Sequence, residues 1–184
     1  WEYYEEFLEG GREMDQHFET AELGKNLPVL MAIIGVWNRN FLKLPALAVL
    51  PYDDHLERFP AFLQQLEMES NGKQVRLNGE PVRSETCPLV FGEPGSNAQH
   101  SFLQHLHQGT AITAVDFLIV AQSGVDAQRQ QDLATANALA QARALAVGRS
   151  AEDCCADESA TGAALVPHKQ SPGNRPCTLI AMRR

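Results

Sequence analysis

Apolar residues along this chain recur in two rhythms, a helical one and a short continuous one, and the two alternate. Leu27–Phe41 is apolar around most of its circumference, as a buried helix would be, with Pro28 tolerated in its first turn. Pro45–Leu50 is a short apolar run that reads as a strand, stopped by Pro51 and Asp53-Asp54. In His55–Met68 the residues Leu56, Phe59, Leu63 and Leu66 step by three and four. That spacing predicts a helix with one buried face, beginning or bending near Pro60. Residues 74–82 carry Asn78-Gly79 between extended segments, the signal of a two-residue hairpin. Leu89–Phe91 reads as a brief buried strand running into the turn-rich Gly92–Asn97, and Ala98–His107 as a helix. Ile112–Val120 is the longest strand candidate. Ala127–Val147 is a long Ala- and Leu-rich helix closed by Gly148. Cys154–Thr161 reads as an exposed polar loop, Val166–Arg175 as another loop, and Thr178–Met182 as a last strand. Helices alternating with short apolar strands are the mark of an α/β protein with a parallel sheet. With no internal repeat, one layered structure over residues 1–184 is the economical reading.

Composition changes this picture little. At 184 residues, 44% hydrophobic and 21% charged, the chain can bury one substantial core. A formal charge of −8 argues against a nucleic-acid or anionic-membrane surface, since neither basic patch nor basic stripe is present. No apolar run has the length of a membrane span and no secretory leader opens the chain, so a cytoplasmic location is expected. Cys87, Cys154, Cys155 and Cys177 form no CxxC pair and read as reduced thiols, the adjacent Cys154-Cys155 in an exposed stretch. The chain opens at Trp1 and stops at Arg183-Arg184, directly after the apolar run Cys177–Met182, which reads as a piece of something longer.

Candidate chemistry is sparse on spacing alone. Gln65 and Glu69 are four apart where a helix opens into Ser70-Asn71-Gly72, so they share a face. A lone glutamate at a helix end is ordinarily a solvated charge. His100 follows the loop Gly92–Asn97 at the start of the expected helix. His105 and His107 point to nearly opposite sides of that helix, and no carboxylate completes a metal set with His100 and His107. Gly92–Gly95 lacks the spacing and the Lys-Ser/Thr of a P-loop. Spacing therefore supports an α/β protein with a possible Glu/His site.

Two central motifs, Met68-Glu69-Ser70-Asn71-Gly72-Lys73 and Gly92-Glu93-Pro94-Gly95-Ser96-Asn97-Ala98-Gln99-His100, carry more. Around them lie Met14–Phe18, Lys25–Leu30, Ala48–Asp53, Arg58–Ala61, Gln64-Gln65, His107–Thr110, Ala140-Gln141 and Gly173–Pro176, in order over nearly the whole chain. Together they resemble the phosphoglucose isomerase family. The resemblance implies a three-layer αβα sugar-isomerase (SIS-type) domain with a mainly parallel sheet, of which residues 1–184 would be one partial domain. The family's N-terminal domain and C-terminal end would lie outside it.

By the same resemblance, Glu69 would be the base that shuttles a proton between C1 and C2 of a sugar phosphate through a cis-enediol. Gln65 would contact the substrate, and His100 would help open the sugar ring. The reaction would interconvert glucose 6-phosphate and fructose 6-phosphate, with no cofactor and no metal. The family's homodimers imply that His100 serves the neighbouring subunit's site. The enediolate-stabilising arginine, the phosphate loops and the ring-opening lysine would all fall outside residues 1–184; Gly10-Gly11-Arg12 is a misplaced match to the arginine segment. The chain alone would then be inactive and would associate through exposed apolar surface. Ala138, Ala142, Arg143 and Val147, with Asn38-Arg39, depart from the family pattern and put packing in question. Two rival readings are a dual phosphoglucose/phosphomannose isomerase and a non-catalytic SIS module that binds sugar phosphates; a pure binder would need no carbon base at position 69.

Overall fold

A computed structural model describes residues 3–122, 128–156 and 163–182, and the chain divides into two units, Trp1–Lys43 and Leu44–Arg184. In the first, Tyr4–Thr20 forms helix α1, where the hydrophobic pattern gives no element; Gly10 and Gly11 in its middle weaken the helical signal. Glu5 and Glu6 in its first turn complement the helix dipole. The corner into helix α2 (Leu27–Val36) is tied by Asn26, which is almost fully buried. Its side chain accepts from the Val29 amide at 3.3 Å as an N-cap and donates to the Phe18 carbonyl at 2.7 Å. His17 Nε2 accepts from the Leu27 amide at 3.0 Å.

The helix expected over Leu27–Phe41 is present, with its last turn, Trp37–Phe41, in π geometry. Its burial is not: no residue of α2 is buried, and Ile33 and Trp37 are more than half exposed. A helix apolar on all sides needs cover on all sides, and residues 3–43 offer it a single neighbouring helix, α1.

The second unit is built on four parallel strands, β1 (Ala46–Pro51), β2 (Leu89–Gly92), β3 (Ala114–Val120) and β4 (Cys177–Met182), in the order β2-β1-β3-β4. All four strands appear where the apolar runs predict them, within two residues at each end. Between β1 and β2 lie α3 (Phe59–Leu63) and a π-helical segment, Gln64–Glu69. Helices α4 (Gly95–Ala98) and α5 (Leu103–Gln108) precede β3. After it come α6 (Gln128–Val147), α7 (Ala151–Ala156) and α8 (Val166–Lys169). No described helix is long and apolar enough to cross a membrane.

Strand alternation sorts the core onto two faces. Ala48, Leu50 and Tyr52 join Val115, Phe117 and Ile119 on one face, covered by Ala98 of α4, Leu103 and Leu106 of α5, and Ala138 and Leu145 of α6. Val49, Val90 and Leu118 lie on the other, under Phe59 and Leu63 of α3 and Met68 of the π segment. Helices on both faces make this the three-layer αβα sheet the resemblance implies. Phe117 and Leu50 are wholly out of solvent, each contributing about 1.5–3 kcal/mol by burial. Ala138 is fully buried and Ala142 packs beside it, so these departures from the family pattern bring α6 close to the sheet rather than loosening it.

Several local expectations change. The buried face of residues 55–68 was expected to run through Leu66, but Leu66 is exposed and Met68 takes its place. The cause is the wider π turn: the packed residues step from Phe59 to Leu63 by four and from Leu63 to Met68 by five. Pro60 sits in the first turn of α3, where a missing N–H costs nothing. The turn at 74–82 closes as a three-residue loop rather than a two-residue one. Gly79 donates to Arg76 at 2.9 Å, Arg76 donates to Glu80 at 2.8 Å, and Gly79 takes the positive φ of 82°. Ala98–His107 is not continuous but splits into α4 and α5.

Cys154–Thr161, read as an exposed loop, begins inside α7, where Cys154 is fully buried; residues 157–161 lie outside the described residues. Ser150 and Asp153 cap α7 reciprocally: Asp153 N donates to Ser150 Oγ at 3.1 Å and Ser150 N to Asp153 Oδ2 at 3.0 Å. Those bonds from Ser150 hold the Asp153 carboxyl below its usual range. Within the loop expected at Val166–Arg175, residues 166–169 form the single turn α8. Ala127, the first residue of the expected long helix, also lies outside the described residues; Gly148 closes that helix at φ 76°.

Candidate active site

Gln65 and Glu69 both lie on the π segment and both line one cleft of about 490 Å³, with Phe62, Leu66, Ser70 and Lys73. Both side chains are exposed. The segment leaves the helix through Ser70-Asn71-Gly72, where the Gly72 amide donates to the Met68 carbonyl at 2.9 Å. A Cβ on Gly72 would stand 2.2 Å from that same carbonyl oxygen, so the tight exit requires glycine. Lys73 turns back and its ammonium donates to the Glu69 carbonyl. The cleft therefore offers a carboxylate, a neutral amide and one cation within a single helical turn and its exit. An exposed carboxylate on a rigid element can accept a proton from carbon once a substrate is held against it.

His100 is elsewhere. It occupies the turn between α4 and α5, its amide donating to the Asn97 carbonyl at 2.9 Å, with an exposed side chain. It does not line the Glu69 cleft. The π segment packs on the Val49–Val90–Leu118 face, whereas α4 and α5 pack on the Phe117 face. Glu69 and His100 thus lie on elements packed on opposite faces of the sheet.

The loop that carries His100 is shaped by two close approaches. A Cβ on Gly92 would stand 1.9 Å from the Val49 carbonyl oxygen, and one on Gly95 only 2.1 Å from the Tyr52 ring. Glu93 accepts from the Ser101 hydroxyl across the turn.

A second cleft, of about 500 Å³, opens at the carboxyl end of β1, lined by Tyr52, Asp53, Gly95, Gln99, Gln131 and Asn137 among others. The strand order reverses between β1 and β3, so this is the crevice where doubly wound sheets usually take ligands. Here its polar groups are paired with one another. Tyr52 Oη donates to Asn137 Oδ1 at 3.1 Å and Gln99 Nε2 donates to the same oxygen at 3.0 Å. Gln131 Nε2 donates to the Val120 carbonyl at 2.8 Å and the Tyr52 carbonyl at 3.2 Å. Burial pushes the Tyr52 phenol up to about 12. This crevice had no counterpart in the sequence reading. Its signal, Pro51-Tyr52-Asp53 at a strand end, becomes informative only once the strand order is known.

Among the described residues no three His, Cys, Asp or Glu side chains could jointly hold a metal ion. His107 is instead bonded to Gln141 of α6 at 2.8 Å. No disulfide joins the four cysteines, and burial, aided by Asp116, pushes Cys177 up to about 11.

A family model described as Phosphoglucose isomerase matches residues 1–184. A glucose-6-phosphate isomerase of Beijerinckia indica is 51% identical over 190 residues, covering all of this chain and 35% of that protein. One from Xanthobacter autotrophicus is 50% identical, over 97% of this chain and 34% of its own length. The crystal structure of a glucose-6-phosphate isomerase from Chlamydia trachomatis superposes with a TM-score of 0.82 at 38% identity, covering 97% of this chain and 33% of that one. A hypothetical protein from Thermus thermophilus shares the fold at a TM-score of 0.64 and 18% identity. The chain spans about a third of the length of the curated relatives it matches.

Proposed function

The chain belongs to the phosphoglucose isomerase family, and from that premise we propose that it carries part of the active site of an enzyme interconverting glucose 6-phosphate and fructose 6-phosphate. The observation that carries the reading is the convergence of Gln65 and Glu69, inside the Glu-Ser-Asn-Gly-Lys motif, on one exposed cleft. In this reading the Glu69 carboxylate removes the hydrogen on C2 of the open-chain aldose. The electron pair left behind forms the C1–C2 double bond of a cis-enediolate with its charge on the C1 oxygen. The C2 hydroxyl proton passes to that oxygen, and as the C2 carbonyl forms the same carboxylate returns its proton to C1. Gln65 binds a substrate hydroxyl beside it. Residues 1–184 form part of the enzyme's second sugar-isomerase domain.

His100 assists ring opening in the site of the neighbouring subunit of a homodimer. His100 does not line the Glu69 cleft of its own chain and sits between helices on the other face of the sheet, which supports that division. Four cysteines without a disulfide fit work in the cytoplasm.

The test is Glu69→Gln in the full-length enzyme. It should abolish exchange of the C2 hydrogen of glucose 6-phosphate with solvent while sugar-phosphate binding persists; exchange at the parent rate would sink the assignment. The arginine, phosphate loops and lysine that the resemblance assigns to other parts of the enzyme lead us to expect no turnover from purified residues 1–184.

A further inference from the structure

The outermost strand of a sheet presents N–H and C=O groups that no neighbouring strand can satisfy. Among the described strands β2 is such a strand, and Val90, whose side chain is buried, turns its backbone N–H and C=O away from β1. Both are taken by the π segment. Gln64 Nε2 donates to the Val90 carbonyl at 3.2 Å, and the Val90 amide donates to Met68 Sδ at 3.3 Å. Gln64 and Met68 thus work as two side-chain prongs, one helical turn apart, that clasp a single strand residue. Met68 is held a second time, packed against the Val49–Val90–Leu118 cluster.

Each prong immediately precedes a residue of the Glu69 cleft. Gln64 is followed by Gln65, and Met68 by Glu69. The rotation of the π segment about its axis, set by the clasp on β2, therefore sets where Gln65 and Glu69 point. We infer that Gln64 and Met68 are positioning residues for the isomerase reaction, fixing the direction of the Glu69 carboxylate through the edge of β2. The inference rests on the reading of Glu69 as the carbon base. Neither residue lines the Glu69 cleft. Gln64 acts through its donor N–H and Met68 through its sulfur and its buried stem. The extra residue of the π turn makes the clasp possible, because it brings Met68 onto the face where period 3.6 would have placed Leu66.

The experiment uses the full-length isomerase and compares Gln64→Met, which keeps the size and loses the donor, with Gln64→Lys, which keeps an N–H of similar reach. Gln64→Met should lower kcat about tenfold with KM and melting temperature nearly unchanged, since a misdirected base is lost only in the transition state. Gln64→Lys should retain most of the parent kcat. Met68→Leu, which removes the sulfur and keeps the apolar bulk, should lower kcat about threefold by the same reasoning.

Equal losses in Gln64→Met and Gln64→Lys would overturn the proposal, as would a Gln64→Met enzyme whose KM and melting temperature fall along with kcat. Glu69→Gln run in parallel separates the two claims. If it is dead while Gln64→Met turns over at the parent rate, the positioning role alone fails. If Glu69→Gln is itself fully active, the base assignment fails and the positioning role falls with it.

Discussion

The cleft under Glu69 and the crevice beside Tyr52 are almost the same size, about 490 and about 500 Å³, yet their side chains are in opposite states. Beside Tyr52, at the position where this kind of sheet usually receives ligands, Gln99 and the Tyr52 hydroxyl both bond Asn137, and Gln131 bonds the Val120 and Tyr52 carbonyls. Under Glu69 the ends of Gln65 and Glu69 are exposed, and the bonds that hold their segment come from neighbouring residues. The comparison separates what a fold makes available from what a sequence uses. The first region spends its polar groups on joining α6 to β1; the second keeps two of them aimed at solvent from a segment fastened to β2. Substitutions should accordingly act on stability in one region and on rate in the other.

The largest effect should come from the second region. In the full-length enzyme Glu69→Gln is expected to lower the isomerisation rate about 10²–10⁴-fold while the melting temperature stays put, measured by coupled assay and calorimetry. A large loss of stability in that variant would erase the contrast between the regions. His100→Ala is expected to lose about 10²-fold on the cyclic sugar and much less on an open-chain analogue, because the task proposed for it is ring opening; equal losses on both would make it a structural residue.

In the crevice the sign of the comparison reverses. Gly95→Ala drives a methyl into the Tyr52 ring, an overpacking expected to destabilise by about 1–3 kcal/mol, read from denaturant unfolding. If its kcat fell while its stability held, the crevice would belong with the rate-determining region after all. Tyr52→Phe removes a single hydrogen bond, to an Asn137 oxygen that Gln99 still satisfies. About 1 kcal/mol of stability is expected to go with it, and no activity.

The smallest effect is in its pH dependence. The folded phenol titrates at about 12, above the usual value near 10, so the folded state holds the proton more tightly. Stability from this group is complete below about pH 10 and is lost as pH rises towards about 12. The gap in stability between the parent and Tyr52→Phe should therefore narrow and then reverse over that window in alkaline unfolding experiments.

Apolar runs made the four strands legible, because a parallel strand covered on both faces has little room for polar residues. Leu66 shows where periodicity misleads. It fits a 3.6-residue repeat, and nothing in the spelling of residues 59–69 announces that the turn widens and exchanges it for Met68. Helix α7 was legible in principle, since Ser150 and Asp153 stand three apart as a capping pair, but the small polar residues after them outweighed that signal. Burial around α2 could not be read at all: the pattern states that Ile33 and Trp37 are apolar, not which surface covers them. As for the site, Glu69 and Gln65 stood out only as part of an ordered motif. Their shared cleft, and the sheet between them and His100, required the fold.

The strand order has a consequence for how the sheet is made. Growth starts from β1 in both directions, since β1 lies between β2 and β3 while preceding both in the chain. During synthesis β1 and β2 can pair once Gly92 has emerged, and the clasp of Gln64 and Met68 can close at that stage. The opposite edge of β1 must wait for Ala114–Val120, and β3 must wait for Cys177–Met182. Each wait closes a longer loop before any contact rewards it, the circumstance that slows parallel sheets. A nascent chain therefore exposes first the β3-facing edge of β1 and then the β4-facing edge of β3, and those two edges are where a ribosome-bound intermediate would attract chaperones.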